Sequence, residues 1–328
     1  MRSRLLAAAA AAALVCCLDG PVPAGASTSP FSVAVEPNAG PAPVYQFILS
    51  ARRSLDMTMY ELSDPMAEHD LAADAARGVR VRVLLDQDYT GGKINQPAAA
   101  YLRTTGVQTK FAPASVIVHQ KTIVVDSQAA MIMTGNLTSR YYPTSADFAV
   151  TDRQPTDVAT VVRAFNDDWA GDLADRYYDV PVQGEQGDLI FSPESETTLI
   201  SLIRSARHTL QISSEEMDSR PVEKALGTAV RDGVGVQVLM TADPSWDTAF
   251  AALRAAGVQI RLYAASAHLY IHAKCIIVDS ATVYVGSINF SSSSLYYNRE
   301  LGVVTADQAV VRPVETAWAG WWQGAPKA

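Results

Sequence analysis

The chain has 328 residues, 48% of them hydrophobic and 18% charged, with 26 basic against 34 acidic side chains and a formal net charge of −8. That length and apolar content suffice for a buried core without disulfide staples. The acidic balance excludes an extended polyanion-binding surface, so no stable nucleic-acid partner is expected and any positive potential has to be local.

Residues 1–26 read as a secretory signal. Arg2 and Arg4 give a basic start, residues 5–18 form an unbroken apolar run of 14, and Ala24, Gly25 and Ala26 are small enough for cleavage. The run is too short to span a bilayer comfortably, and no later stretch reaches that length. Cleavage after Ala26 and a secreted, soluble product are expected, ahead of lipidation at Cys16, which follows the unsuitable Val15. Removal of the signal would leave 24 basic and 33 acidic side chains, with Cys275 as the only thiol. Cys275 lies in an apolar run and reads as a small buried hydrophobe.

From there the chain says similar things twice. Strand patterns at 54–59 and 78–84 recur at 209–214 and 233–239, as alternating or continuous apolar and β-branched runs. Between them, helices at 64–77 and 220–232 each carry proline near the start and are followed by glycine. Helices at 98–105 and 248–256 stop at Gly106 and Gly257 and lead into strands at 107–111 and 258–263. Strand pairs 121–126 with 130–134, and 274–279 with 282–287, follow, and each half closes with an apolar-periodic helix, 155–169 or 306–322. The stretch 179–188, with Pro181, Gly184 and Gly187, reads as the connector. The order of elements is that of an α/β layer structure, organised as a signal (1–26), a first half (27–180) and a second half (181–328) in one monomeric globule.

The polar residues keep a stricter register. His119, Lys121 and Asp126 recur 153 positions later as His272, Lys274 and Asp279. At the same offset Thr134 and Asn136 fall on Ser287 and Asn289, and Asp147 falls on Glu300. Alternation along a strand would put His and Lys of each motif on one face. Two such pockets about a pseudo-two-fold axis would offer two imidazoles, two ammonium groups and two carboxamides to one phosphodiester. The lysines, Asn136 and Asn289 would hold the non-bridging oxygens, with hydroxyl donors from Thr134 and Ser287. One imidazole would attack phosphorus and the other protonate the departing oxygen, the residues alone leaving open which does which. Asp147 and Glu300 would orient a histidine, each its own or the opposite one. Asp126 and Asp279 complete the repeated catalytic motif, although their place at strand ends favours a structural, ion-pairing role. Tyr141, Tyr142, Tyr296 and Tyr297 follow the asparagines as packing or entrance residues, and Trp318, Trp321 and Trp322 are expected to cap the core.

At these residues the chain resembles the phospholipase D superfamily, whose mark is two copies of His-x-Lys-x4-Asp, each followed by Gly-Ser-x-Asn. The second copy matches fully through Gly286, Ser287 and Asn289; the first has Met133 and Thr134 in place of Gly and Ser, which implies altered packing around a working site. The resemblance implies mixed sheets flanked by helices in two α-β-α halves, and a site between them. It further implies phosphodiester cleavage through phosphohistidine with no metal or other cofactor, His119 as nucleophile and His272 as general acid. The resulting expectation is a secreted phosphodiesterase that meets phospholipid at a membrane or micelle surface and releases phosphatidic acid and a free headgroup. The alternatives are a metal-independent nuclease, disfavoured by the acidic balance, and a headgroup-transferring synthase, disfavoured by the lack of membrane-embedded context. A binding module that has lost the reaction is a further one, against which both histidines and both lysines stand intact.

Overall fold

The computed structural model describes residues 29–87, 91–171 and 189–326; the signal and connector expectations lie outside them. Each half is built on a seven-stranded core in the same spatial order. In the first half the order is Phe31–Glu36, Ser145–Asp152, Ala129–Met133, Lys121–Val125, Ser54–Met59, Arg80–Leu85 and Gln108–Phe111. In the second it is Leu189–Ser192, Glu300–Thr305, Thr282–Gly286, Lys274–Val278, Thr209–Ser213, Gly235–Thr241 and Gln259–Tyr263. Three strands of each sheet run parallel through helical crossovers and the other four pair antiparallel, so both sheets are mixed.

The motif strands are apolar on both faces because both faces are covered. Ile123 and Val125 face their own half's helices, while Val124 joins a core shared between the halves with Ile132, Phe148, Cys275, Ile277, Val285 and Trp318. Ile276 and Val278 alternate with Cys275 and Ile277 in the same way. Each such aliphatic side chain contributes about 1.5–3 kcal/mol on burial, so the apolar seam alone joins the halves into one body. Trp318 and Trp321 of the closing helix Gln308–Gly324 are buried in that seam, as expected of a cap, and Trp318 donates its indole N–H to Ser213 at 2.9 Å.

The helix starts and stops follow the sequence signals. Asp64 and Ser219 cap Pro65–Ala76 and Arg220–Arg231, and Gly78, Gly106, Gly233 and Gly257 turn the chain with φ of 87–90°. The helix expected at 98–105 begins earlier, at Gly91, and runs through Pro97 to Arg103. Within it Asn95 is fully buried; its side chain accepts from the Leu62 N–H and donates to the Tyr60 and Asp86 carbonyls, fixing the loop after Ser54–Met59.

Backbone pairing crosses between the halves reciprocally. Tyr270–Ile271 adds to the first sheet beside Ser145 and Ala146, and Val118 bridges to Arg299 in the second half. The hydrogen bonds obey the 153-residue offset: Gln120 N–H donates to the Arg299 carbonyl at 3.0 Å, and Ala273 N–H donates to the Ala146 carbonyl at 2.8 Å. The segment leading into each motif is thus an edge of the other half's sheet.

Candidate active site between the halves

This exchange of edges places the histidines. Strands begin at Lys121 and Lys274, so His119 and His272 lie in the crossing segments rather than on the motif strands. The alternation expected to align His with Lys does not extend that far. His272, one residue beyond Tyr270–Ile271, instead sits beside the first half's strand Ser145–Asp152, and His119 sits beside Glu300–Thr305.

The consequence is a pair of crossed hydrogen bonds. His119 Nδ1 lies 2.8 Å from Glu300 Oε2, and His272 Nδ1 lies 2.8 Å from Asp147 Oδ1. Each acid serves the histidine of the opposite half, which resolves the alternatives open in sequence. An ionised carboxylate accepts only, so each Nδ1 carries the proton and Nε2 is the nitrogen left for chemistry. The acids are themselves held. Asp147 accepts from Thr134 Oγ1 at 2.5 Å and from Ser145 at 2.6 Å, and Glu300 accepts from Asn298 at 3.1 Å. Although burial opposes it, the facing histidines and lysines keep both carboxyls below their ordinary range.

The two lysines are almost fully buried. Lys121 donates to the His119 carbonyl and lies over the Tyr60 ring at 4.9 Å. Burial, then the charge of Lys274, pushes its ammonium down to about 7. Lys274 donates to Glu215 at 3.0 Å. Glu215, missed in the sequence, also lies 3.3 Å from His272 Nε2 and has no acidic counterpart in the first half, where strand register puts Tyr60 in its place. No pattern pointed to it because the repeat itself does not contain it.

The two imidazoles are therefore unequal. Burial, reinforced by Lys121 and Lys274 against Glu300, pushes His119 down to about 4. Burial also opposes charge on His272, but the Asp147 and Glu215 carboxylates outweigh it and Lys274 together, raising the ring above its ordinary value. The environment thus favours the neutral form of His119, whose ring meets the edge of Tyr60 at 4.7 Å, and the protonated form of His272.

Several expectations are corrected by the contacts. Thr134 and Ser287 are fully buried and do not present hydroxyls to a ligand: Thr134 supports Asp147, and Ser287 exchanges hydrogen bonds with the Leu301 backbone. Asp126 and Asp279 lie away from the histidines and are held by backbone amides rather than by ion pairs. Asp126 accepts the N–H groups of Arg52, Arg53 and Ser54, and Asp279 those of Arg207, His208 and Thr209, at the far end of the motif strands. Five strand residues separate them from the lysine end, roughly 16 Å. Both adopt left-handed backbone, φ 54° and 52°, to reach those amides.

The asparagines also differ. The Asn289 side-chain oxygen accepts from the Glu215 N–H at 3.1 Å, so its amide NH2 is what it can offer a phosphate. Asn136 instead lines a cavity of about 40 Å³ beside Ser145 and Asp147. Met133, at the place of Gly286, reflects a packing exchange. A Cβ on Gly302 would lie 2.1 Å from the buried Tyr284 ring and one on Gly286 would lie 2.3 Å from Gly302 Cα. Tyr284, Gly286 and Gly302 fill the volume that Met131, Met133 and Ala149 fill in the first half. Cys275 is buried, with its thiol pushed up to about 12 by desolvation, the behaviour of an inert core residue.

A mixed-sheet fold repeated about a site of two crossed His–carboxylate pairs and two lysines has the groups to hold a phosphodiester and to offer it a nucleophile and a proton donor. The family model described as "Cardiolipin synthase, PLD-like domain" matches residues 44–169 and 199–322, and the chain belongs to that family, within the phospholipase D superfamily. It is 27% identical over 315 residues to cardiolipin synthase A of Pseudomonas fluorescens, covering 85% of this chain and 63% of that protein. With cardiolipin synthase A of Edwardsiella ictaluri the identity is 25% over 303 residues, covering 78% and 62%. The chain thus spans under two thirds of the synthases' length. Among solved structures, phosphatidylserine synthase of Haemophilus influenzae shares the fold with a TM-score of 0.68, at 13% identity, over 90% of this chain and 86% of that one.

Proposed function

We propose that this enzyme moves a phosphatidyl group from one headgroup alcohol to another through a phosphohistidine. The observation that carries the chemistry is the inequality of two opposed imidazoles, each oriented by the other half's acid. His119 Nε2, neutral, attacks phosphorus; the bond to the leaving alcohol breaks and its oxygen takes the proton of His272 Nε2. An incoming hydroxyl then gives its proton to His272 as its oxygen attacks phosphorus, and the bond to His119 breaks. Lys121, Lys274 and the Asn289 amide offer donors to the non-bridging oxygens, where charge builds.

Kinship over both halves with cardiolipin synthases favours an alcohol over water as acceptor, so transfer replaces the hydrolase of the sequence reading as the leading function. Among the described residues no helix is long and apolar enough to cross a membrane, which does not bar a protein that works at a lipid surface. Hydrolysis is the second reading, supported by 26% identity over 136 residues to a mitochondrial cardiolipin hydrolase of Danio rerio, covering 41% of this chain and 60% of that protein. Export with cleavage after Ala26, and action as a monomer on membrane or micelle lipid, belong to the same proposal, and N-terminal sequencing of protein recovered from the medium tests the cleavage.

Phosphatidylglycerol supplies both a phosphodiester and a primary hydroxyl, so the test is incubation of the purified protein with its vesicles in the presence of chelator. Cardiolipin and glycerol in equal amounts are the expected products. Phosphatidic acid and glycerol alone would establish hydrolysis. Cleavage of DNA with no action on any phospholipid would overturn both readings.

A further inference from the structure

Glu215 stands on the turn after Thr209–Ser213, and four contacts fix it. Its N–H donates to Asn289, Oε1 accepts from the Tyr270 hydroxyl at 2.8 Å, and Oε2 lies 3.0 Å from Lys274 Nζ and 3.3 Å from His272 Nε2. With Asp147 on Nδ1, the His272 ring has a carboxylate at each nitrogen. The His119 ring has Glu300 on Nδ1, and the residue matching Glu215 by strand register is Tyr60, whose ring meets His119 edge-on at 4.7 Å. The frame of the two histidines is repeated: the lysine two residues on, the acid 28 residues on, and the crossed pairing.

We infer that Glu215 is the positioning residue that breaks the equivalence of the two half-sites, holding the Nε2 proton of His272 and so committing His272 to proton donation and His119 to attack. The inference deepens the proposed reaction and rests on it for the roles, but not for the contact. When substrate binds, the leaving oxygen replaces Glu215 as acceptor of the Nε2 proton, and the carboxylate stays with Lys274 and Tyr270. The P–O electron pair takes that proton as the P–N bond to His119 forms, and no other reagent is required. The charged and titratable groups facing His272 are Asp147 from the first half, Lys274 and Tyr270 from its own strands, and Glu215; Lys121 acts from across the site on Lys274.

The test compares Glu215→Gln, which is isosteric, Glu215→Leu, which removes both the charge and the hydrogen-bonding group, and Glu215→Asp, which keeps the charge. Imidazole NMR titration of the substrate-free protein, with signals assigned by His119→Ala and His272→Ala, should show His272 titrating at lower pH in Glu215→Gln and Glu215→Leu. The ring should stay close to wild type in Glu215→Asp, and His119 should hold its place throughout. In turnover, kcat of Glu215→Gln should fall about fivefold or more at pH 8 but less than about twofold at pH 6, because only the alkaline limb depends on His272 keeping its proton. Identical His272 titration in wild type and Glu215→Gln, or equal losses at both pH values, would overturn the inference. If no phosphodiester is turned over at all, the proposed function fails while the titration still decides the role of Glu215; Glu215→Gln suffices should Glu215→Leu not fold.

Discussion

The Asp147 carboxylate reaches across 125 residues of sequence to His272 Nδ1 at 2.8 Å, and its repeat partner Glu300 reaches back to His119 at the same distance. Neither half contains both a histidine and the acid at its Nδ1, so the site is completed only where the halves meet. Removing one acid therefore disables the histidine of the other half. Asp147→Asn and Glu300→Gln, which keep shape but remove the acceptor that fixes the tautomer, should each lower kcat by about 10²- to 10⁴-fold with little change in KM. Steady-state kinetics on phosphatidylglycerol vesicles measures both, and a loss below tenfold in either would argue against the crossed pairing as catalytic.

The two histidines should be separable by leaving group. His272→Ala lacks the proton donor, so it should lose activity on lipid but recover much of it on an activated aryl phosphodiester, whose phenolate leaves unprotonated. His119→Ala should be inactive on both and should acquire no phosphohistidine. Rapid-quench mass spectrometry for the acid-labile adduct distinguishes them, and an adduct on His272 in the wild type would reverse the assignment.

The pH profile of kcat/KM should be a bell. His119 acts neutral and is held down to about 4, so the acid limb falls away as pH drops through that region. His272 acts protonated and is raised, so activity is present below its pKa and is lost as pH rises through it. Lys121, pushed down to about 7, loses its charge on the same side. A profile still rising at alkaline pH would contradict the proton-donor role.

Glycines beside both motifs carry packing. Gly302→Ala would drive a methyl into the Tyr284 ring, which is fully buried, and should destabilise the protein by about 1–3 kcal/mol. Gly135→Ala, whose Cβ would lie 2.9 Å from the Asp147 carboxylate, should instead reduce kcat by disturbing the acid that holds His272. Urea denaturation and kinetics on the same preparations separate the two effects.

Asp126→Ala leaves three backbone N–H groups, those of Arg52, Arg53 and Ser54, without their acceptor. The expected loss is about 1–3 kcal/mol of stability, with kcat of the folded protein unchanged within about twofold. A catalytic loss comparable with that of Lys121→Ala would show that this aspartate does more than clamp the loop.

The repeat was legible in the chain because register is a one-dimensional property. His119 and His272, Lys121 and Lys274, Asp147 and Glu300 share a single offset, and the capping residues and turn glycines around them mark where helices stop. Those signals are local, and they carried the fold class, the order of elements and the histidines, lysines and acids that the structure brings together. What lay outside local reach was who faces whom. Thr134 and Ser287 look like ligand hydroxyls in the motif but are buried, because the strands they follow are covered on both faces. The crossed acids follow from Tyr270–Ile271 joining the other half's sheet, a pairing of residues far apart in the chain that no periodicity encodes. Glu215 escaped for the complementary reason: it is where the repeat is broken, and its meaning comes only from the 3.3 Å that separate it from His272. Sequence by itself determined that two equal half-sites exist; tertiary structure decided that they exchange their acids and are not equal, because charge and burial at a buried imidazole depend on neighbours brought in from elsewhere in the chain.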